Sequence, residues 1–262
     1  MKQYKTKKRF GQHFLHDSQV IQKLIYEINP QKNDNIVEIG PGLGALTFPL
    51  LKEINKLHLV EIDRDIIQRL KNMDNNKLII HESDALKFGF DDLALHEPLR
   101  VVGNLPYNIS TPLIFHLLTL ASNIQDMHFM LQNEVVQRIT AEPGSKTFGR
   151  LSVMVQYYCK TEYLFFVGPE SFDPPPKVDS AILRLTPRKA PELKATNDKL
   201  LSMLVAQAFS MRRKTLRNNL KKMLSDEQIE SVGINPSARA ETLSVKNFIM
   251  LSNLYSESNP VL

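Results

Sequence analysis

The chain has a single cysteine, Cys159, among its 262 residues. One thiol excludes an internal disulfide and any metal site built on a cysteine cluster. The seven histidines are scattered, without the spacing of a ligand set. No stretch approaches the roughly 20 apolar residues of a membrane span. The basic opening, MKQYKTKKRFGQHFL, is not followed by the apolar core of a secretory signal. No Ser-His-Asp or Cys-His arrangement offers an activated nucleophile. Internal repeats and low-complexity tracts are also missing. The simplest setting is soluble, reducing and cytoplasmic, without a membrane.

What is present describes a folding chain. Hydrophobic residues make up 42% and charged residues 23%, enough for one large domain with a small appendage. The formal charge of +5 points to an anionic partner such as nucleic acid, although an ordinary basic enzyme has a similar sum. Where the cations cluster carries more information than the total.

Apolar periodicity predicts a helix over 18–28, with Val20, Leu24, Ile25 and Ile28 on one face and Asp17 or Ser18 as its cap. Strand patterns follow at 35–40, 57–63, 77–83, 99–104 and 126–132, separated by helix-length segments near 44–54, 64–73, 111–121 and 133–141. Such alternation predicts an α/β fold with a mostly parallel sheet. Two late strands are expected at 162–172 and 180–187. Their connection, DPPPKVD, is too short for a helical crossover, so the pair is expected to be antiparallel. Beyond Pro187 the polar, proline-bearing TPRKAPELKATND reads as a linker. A basic helix is expected over 198–224, then helices near 226–232 and 245–255. The expected division is therefore a catalytic domain over 1–187 and a small all-helical domain over 188–262.

The stretch EIGPGLGALT (38–47) ends a strand and opens a helix. Gly40, Gly42 and Gly44 permit a tight turn and close approach to a ligand. Glu61 ends the next strand, where it can accept hydrogen bonds from ribose hydroxyls. Asp84, after the third strand, can accept from an adenine amino group. The glycine pattern also fits a dinucleotide site. Glu38 weighs against that, because it would face a pyrophosphate with a negative charge. It suits the cationic amino end of S-adenosylmethionine.

The fourth strand ends in GNLPYNIS (103–110). An aromatic exocyclic amine is a poor nucleophile because its lone pair is delocalised into the ring. Acceptors for its N–H groups would draw the nitrogen toward tetrahedral geometry. Asn104 offers a side-chain carbonyl, and Leu105 a backbone carbonyl that Pro106 helps to fix. Tyr107 offers a flat face for a base held outside a helix. The stretch reads as a clamp for an adenine amine, against the plainer reading of a strand-end turn with a buried tyrosine.

Taken together, KKRFGQHFLHD (7–17), VEIGPGLGALT, EIDRD, SDAL, NLPYNIS, SFDPPPKVDSAILRL (171–185), FSMRRKTLRNNL (209–220) and RAETLSVKNF (239–248) resemble, in order and spacing, the ribosomal RNA adenine N6,N6-dimethyltransferases of the small-subunit branch. The resemblance implies a class I methyltransferase (Rossmann-like) sheet with S-adenosylmethionine as cofactor. It implies dimethylation of two adjacent adenosines near the 3′ end of small-subunit (16S) RNA, with a role in subunit biogenesis. Carried over by position, the cofactor contacts are His13, Leu15, Gly40, Gly42, Glu61, Asp84 and Asn104. The catalytic set is Asn104, Leu105, Pro106, Tyr107 and Phe172, with Phe172 stacking on the target adenine opposite Tyr107. At His13 the family often has Asn.

Two basic clusters fit an RNA partner. Lys7, Lys8 and Arg9 form one. Arg212, Arg213, Lys214, Arg217 and Lys221 form the other, with Arg213 and Arg217 expected on one helical face. A solvated helix face is the ordinary alternative. The expected partners are small-subunit RNA and the immature subunit, bound by a monomer. Competing readings are the related large-subunit enzyme of macrolide-type resistance, a non-catalytic assembly factor, and a nicotinamide dehydrogenase. The last has no convincing catalytic His or Lys.

Overall fold

The computed structural model describes residues 12–95, 97–188 and 194–259. The basic cluster at Lys7, Lys8 and Arg9 lies outside them, as does part of the expected linker. The chain divides into two compact units, one of Met1–Val136 with Lys160–Pro187 and one of Gln137–Cys159 with Arg188–Leu262.

In chain order the elements of the first unit begin with β1 (Phe14–Leu15), α1 (Ser18–Ile28), β2 (Asn35–Ile39), α2 (Thr47–Glu53), β3 (Leu57–Glu61), α3 (Arg64–Lys71) and β4 (Leu78–Glu82). They continue with β5 (Leu99–Asn104), α4 (Ser110–Leu118), β6 (Ile124–Gln132) and α5 (Asn133–Ile139), whose last residues belong to the second unit. After the second unit's α6 (Arg150–Tyr158) come β7 (Cys159–Val167), β8 (Phe172–Asp173) and β9 (Ser180–Pro187). The main sheet has the order β4-β3-β2-β5-β6-β9-β7. Strands β2 to β6 pair in parallel, and β9 runs antiparallel to β6. The interior strands β2, β3 and β5 are buried along nearly their whole length, because helices cover a parallel sheet on both faces. Asp17 caps α1 by accepting from the Gln19 and Val20 amides.

One charged side chain is buried at the start of β5. Arg100 donates to the carboxylates of Asp34 and Asp126 and to the carbonyls of Ile28 and Asn29. Asp126 sits opposite it on β6. The guanidinium thereby ties the end of α1 to two strands.

Three expectations change. The strand expected over 162–172 is two pieces. β7 ends at Val167, a 3-10 turn spans Pro169–Ser171, and β8 leaves the main sheet to pair with β1, placing Leu15 opposite Phe172. The domain boundary also differs, since residues 137–159 group with the helical unit. There Gln156 donates to the Ile139 and Ala141 carbonyls, while Tyr157 and Tyr158 both donate to Asp198.

The third change is in the second unit, built from α6, α7 (Asp198–Ala208), α8 (Leu216–Leu220), α9 (Asp226–Ser231) and α10 (Val245–Ser258). The long basic helix expected over 198–224 is broken between Ala208 and Leu216. Buried Asn219 donates to the Ala208 and Met211 carbonyls, satisfying acceptors that a continuing helix would use. The Leu216 and Arg217 amides donate instead to Ala238 and Pro236. Arg212, Arg213 and Lys214 therefore lie in a turn, and Arg213 does not share a helical face with Arg217. No helix among the described residues is long and apolar enough to cross a membrane.

Candidate active site

A cavity of about 240 Å³ opens at the carboxyl ends of β2, β3 and β5. This is where an open parallel sheet binds ligands. Its wall brings together His13, Leu15, Gly40, Gly42, Glu61, Asp84, Asn104, Leu105, Pro106 and Tyr107. Phe172 is not among its lining residues. It is 3% exposed, within the core cluster that also holds Leu15. In this structure its buried ring offers no face to a base in the cavity.

The loop after β2 makes the floor. Gly40 and Gly42 have φ of +67° and +55°, a region that side-chain-bearing residues rarely adopt. A Cβ on Gly42 would also stand 2.9 Å from the Phe14 ring. The turn thus fits under β1 only with glycine. On the neighbouring strand, a Cβ on Gly103 would meet the Ile39 carbonyl oxygen at 2.6 Å. The missing side chain lets β5 carry Asn104 close to the glycine loop.

Three carboxylates line this floor. Glu38 is 2% exposed and accepts from the Thr47 hydroxyl at 2.6 Å. Burial pushes its pKa up to about 7 against that bond, and the nearby Glu61 adds to the push. Burial likewise raises Glu61, while the Asp63 and Ile62 amides, each 2.8 Å from Oε1, oppose it. Asp84 accepts from the Leu86 amide at 3.0 Å. Such a floor repels a pyrophosphate and suits a ligand with a cationic end and nucleoside hydroxyls. This set of acceptors therefore fits S-adenosylmethionine, and it disfavours the dinucleotide that the glycine pattern alone allows.

Above the floor stands the Asn104–Tyr107 corner. Asn104 Nδ2 donates to the His13 carbonyl at 2.9 Å. That bond fixes the amide's orientation and leaves Oδ1 for an incoming donor. The Tyr107 hydroxyl pairs with Ser180 Oγ at 2.9 Å, and burial raises the phenol's pKa against that bond. His13 Nδ1 lies 2.7 Å from the Pro174 carbonyl. Sequence reasoning did not find Ser180, Pro174 or Thr47. Ser180 and Pro174 act through partners far along the chain, which local spacing does not reveal, whereas Thr47 acts on Glu38 from the other end of the same glycine-rich motif.

The cations of the second unit are unequal. Arg212 donates to the Lys146 carbonyl and pairs with Glu241, and Arg217 pairs with Asp226. Arg213, Lys214 and Lys221 are exposed.

A family profile described as ribosomal RNA adenine dimethylase matches residues 3–257. The chain is 55% identical over 256 residues to "Ribosomal RNA small subunit methyltransferase A" of Alcanivorax borkumensis, covering 97% of this chain and 91% of that one. It is 56% identical over 261 residues to the protein of the same name in Hydrogenovibrio crunogenus, covering 97% and 98%. Among solved structures it is similar to a dimethyladenosine transferase from Plasmodium falciparum, with 28% identity, a TM-score of 0.79 and coverage of 91% and 96%. The fold is also that of the 23S rRNA methyltransferase ErmE, at a TM-score of 0.74, 24% identity and coverage of 93% and 99%.

Proposed function

Because the chain belongs to the ribosomal RNA adenine dimethylase family, we propose that it transfers methyl groups from S-adenosylmethionine to the N6 amines of two adjacent adenosines near the 3′ end of small-subunit RNA. The observation that carries this reading is the amide of Asn104, oriented by the His13 carbonyl at the rim of a cavity floored by Glu38, Glu61 and Asp84.

When bound, S-adenosylmethionine supplies a methyl group made electrophilic by its sulfonium. Glu61 accepts from the ribose hydroxyls, Asp84 from the adenine amine, and Glu38 faces the cationic amino end. Asn104 Oδ1 and the Leu105 carbonyl accept the N–H groups of the target amine and free its lone pair. Tyr107 stacks on the target base. The chain has to position and desolvate this amine rather than deprotonate it. This explains the missing nucleophile and base.

Glu61→Ala is expected to weaken S-adenosylmethionine binding by about tenfold or more, the loss of a charge-assisted hydrogen bond. Calorimetric titration of the folded variant measures it. Unchanged affinity would remove Glu61 from the ribose site.

The substrate is read as RNA within an immature small subunit, bound by a monomer in the cytoplasm. Arg213, Lys214 and Lys221 are its phosphate contacts in the second unit. The charge-neutralising double variant Arg213→Ala, Lys214→Ala should reduce the slope of log affinity against log salt by about 2. Cofactor affinity should stay as it was. An unaltered salt slope would make these residues an ordinary solvated turn.

A further inference from the structure

The loop after β4 turns on Asp84. The Lys87 and Phe88 amides donate to the Asp84 carbonyl at 2.9 and 3.0 Å, and the Leu86 amide donates to its carboxylate. Ser83, Asp84, Ala85 and Leu86 line the cavity. The far end of the loop is held from behind. His116 Nε2 lies 3.0 Å from the Phe88 carbonyl. A carbonyl only accepts, so Nε2 carries the hydrogen. Neither His116 nor Phe88 lines the cavity. Their rings belong to one stack that runs from the sheet edge to α4. His58 of β3 and His81 of β4 lie parallel, with centroids 5.2 Å apart. Phe88 tilts on His81 at 4.9 Å, Phe90 meets Phe88 edge-on at 4.9 Å, and His116 follows at 5.8 Å from Phe90. His116 stands in the last turn of α4, whose first residue, Ser110, donates to the Tyr107 carbonyl. That helix is anchored independently by Leu113, Ile114 and Leu117, all fully buried.

We propose that His116 is a positioning residue for the adenine end of the cofactor site. It holds the Phe88 carbonyl, and through that turn it sets where Asp84 presents its carboxylate. The inference rests on the reading of Asp84 as the acceptor of the cofactor's adenine amine. His116 itself touches neither cofactor nor RNA. Because α4 is fixed by its own apolar face, loss of the bond frees the loop and not the clamp. The effect therefore falls on cofactor affinity and spares the rate at saturating cofactor. His116→Phe keeps a ring against Phe90 and loses the donor. His116→Gln places an amide nitrogen the same number of bonds from Cα as Nε2 and keeps the donor.

The test compares wild type, His116→Phe, His116→Gln and Asp84→Ala as full-length proteins. Each is titrated calorimetrically with S-adenosylhomocysteine and with S-inosylhomocysteine, in which a carbonyl oxygen replaces the adenine amine. His116→Phe should weaken S-adenosylhomocysteine binding by about three- to tenfold, the worth of one hydrogen bond. Its affinity for S-inosylhomocysteine should stay within about twofold of wild type, a change below that bond's contribution, because this ligand gives Asp84 no amine. His116→Gln should recover most of the lost affinity. Single-turnover methyl transfer to unmethylated small subunits at saturating S-adenosylmethionine should stay within about twofold of wild type, as when only ground-state binding is lost. In the ligand-free His116→Phe protein, amides 84–90 should exchange hydrogen about threefold faster or more, the local opening that the bond resists. Equal losses for both ligands, or in both His116 variants, would overturn the inference. So would unchanged affinity and exchange beside a lower melting temperature, which would make His116 a packing residue. A slower saturating rate with intact affinity would overturn it by placing the effect on the clamp. Wild-type affinity for S-adenosylhomocysteine in Asp84→Ala would instead bring down the reading of Asp84 beneath it.

Discussion

Asn104→Ala should reduce methyl transfer by about a hundred- to a thousandfold, the range seen when one preorganised polar contact to a reacting group is removed. S-adenosylmethionine affinity should change by no more than about threefold, less than one ordinary hydrogen bond is worth. The asymmetry follows from where the side chain is tied. Nδ2 is taken by the His13 carbonyl, so the amide can receive the target amine only through Oδ1. The floor acids that hold the cofactor are untouched by the substitution. The folded variant's titration with cofactor and its single-turnover rate separate the two effects. An equal loss of both would move Asn104 wholly into the cofactor site.

The second large effect is on stability and lies on the opposite side of the sheet's chemistry. Arg100→Ala should destabilise the protein by about 3 kcal/mol, the low end for breaking a buried pair. The low end applies because Asp34 and Asp126 retain some access to water, with side chains 15% exposed, while Arg100 is 5% exposed. Two carboxylates would lose their common cation, and the Ile28 and Asn29 carbonyls would lose a donor. The melting temperature should fall by roughly 10 °C for a unit of this size. Thermal unfolding followed by circular dichroism measures this, and a shift below a degree or two would mean that the network contributes little.

Much of the first unit was legible because its signals are local. The strand at Leu99–Asn104 and that at Ser180–Pro187 begin and end where the apolar runs do, as does the helix at Ser18–Ile28. The glycine loop, Glu61 and Asp84 were legible for a related reason, since strand ends in a parallel sheet converge on one edge. What the sequence hid depends on partners far along the chain. β1 is two residues long and exists only because Phe172 and Asp173 come to meet it. That pairing draws the Phe172 ring into the core, which no spacing rule reveals. The basic segment after Ala208 has helical periodicity, but a single buried amide, Asn219, ends the helix from eleven residues away. The helix over Arg150–Tyr158 is not legible in the sequence because its apolar positions do not form one stripe. Ser152, Val153, Met154 and Val155 are all buried, and periodicity is a weak guide to a segment covered on several sides.

The reaction itself is tested most directly by nucleoside mass spectrometry. The protein is incubated with S-adenosylmethionine and small subunits lacking the modification, and their RNA is then digested to nucleosides. N6,N6-dimethyladenosine should accumulate in small-subunit RNA, with none in large subunits treated alike. Absence of methylated adenosine, from folded protein that still binds both cofactor and particle, would contradict the account. The Asn104–Tyr107 corner would then belong to a protein that binds ribosomal precursors without modifying them.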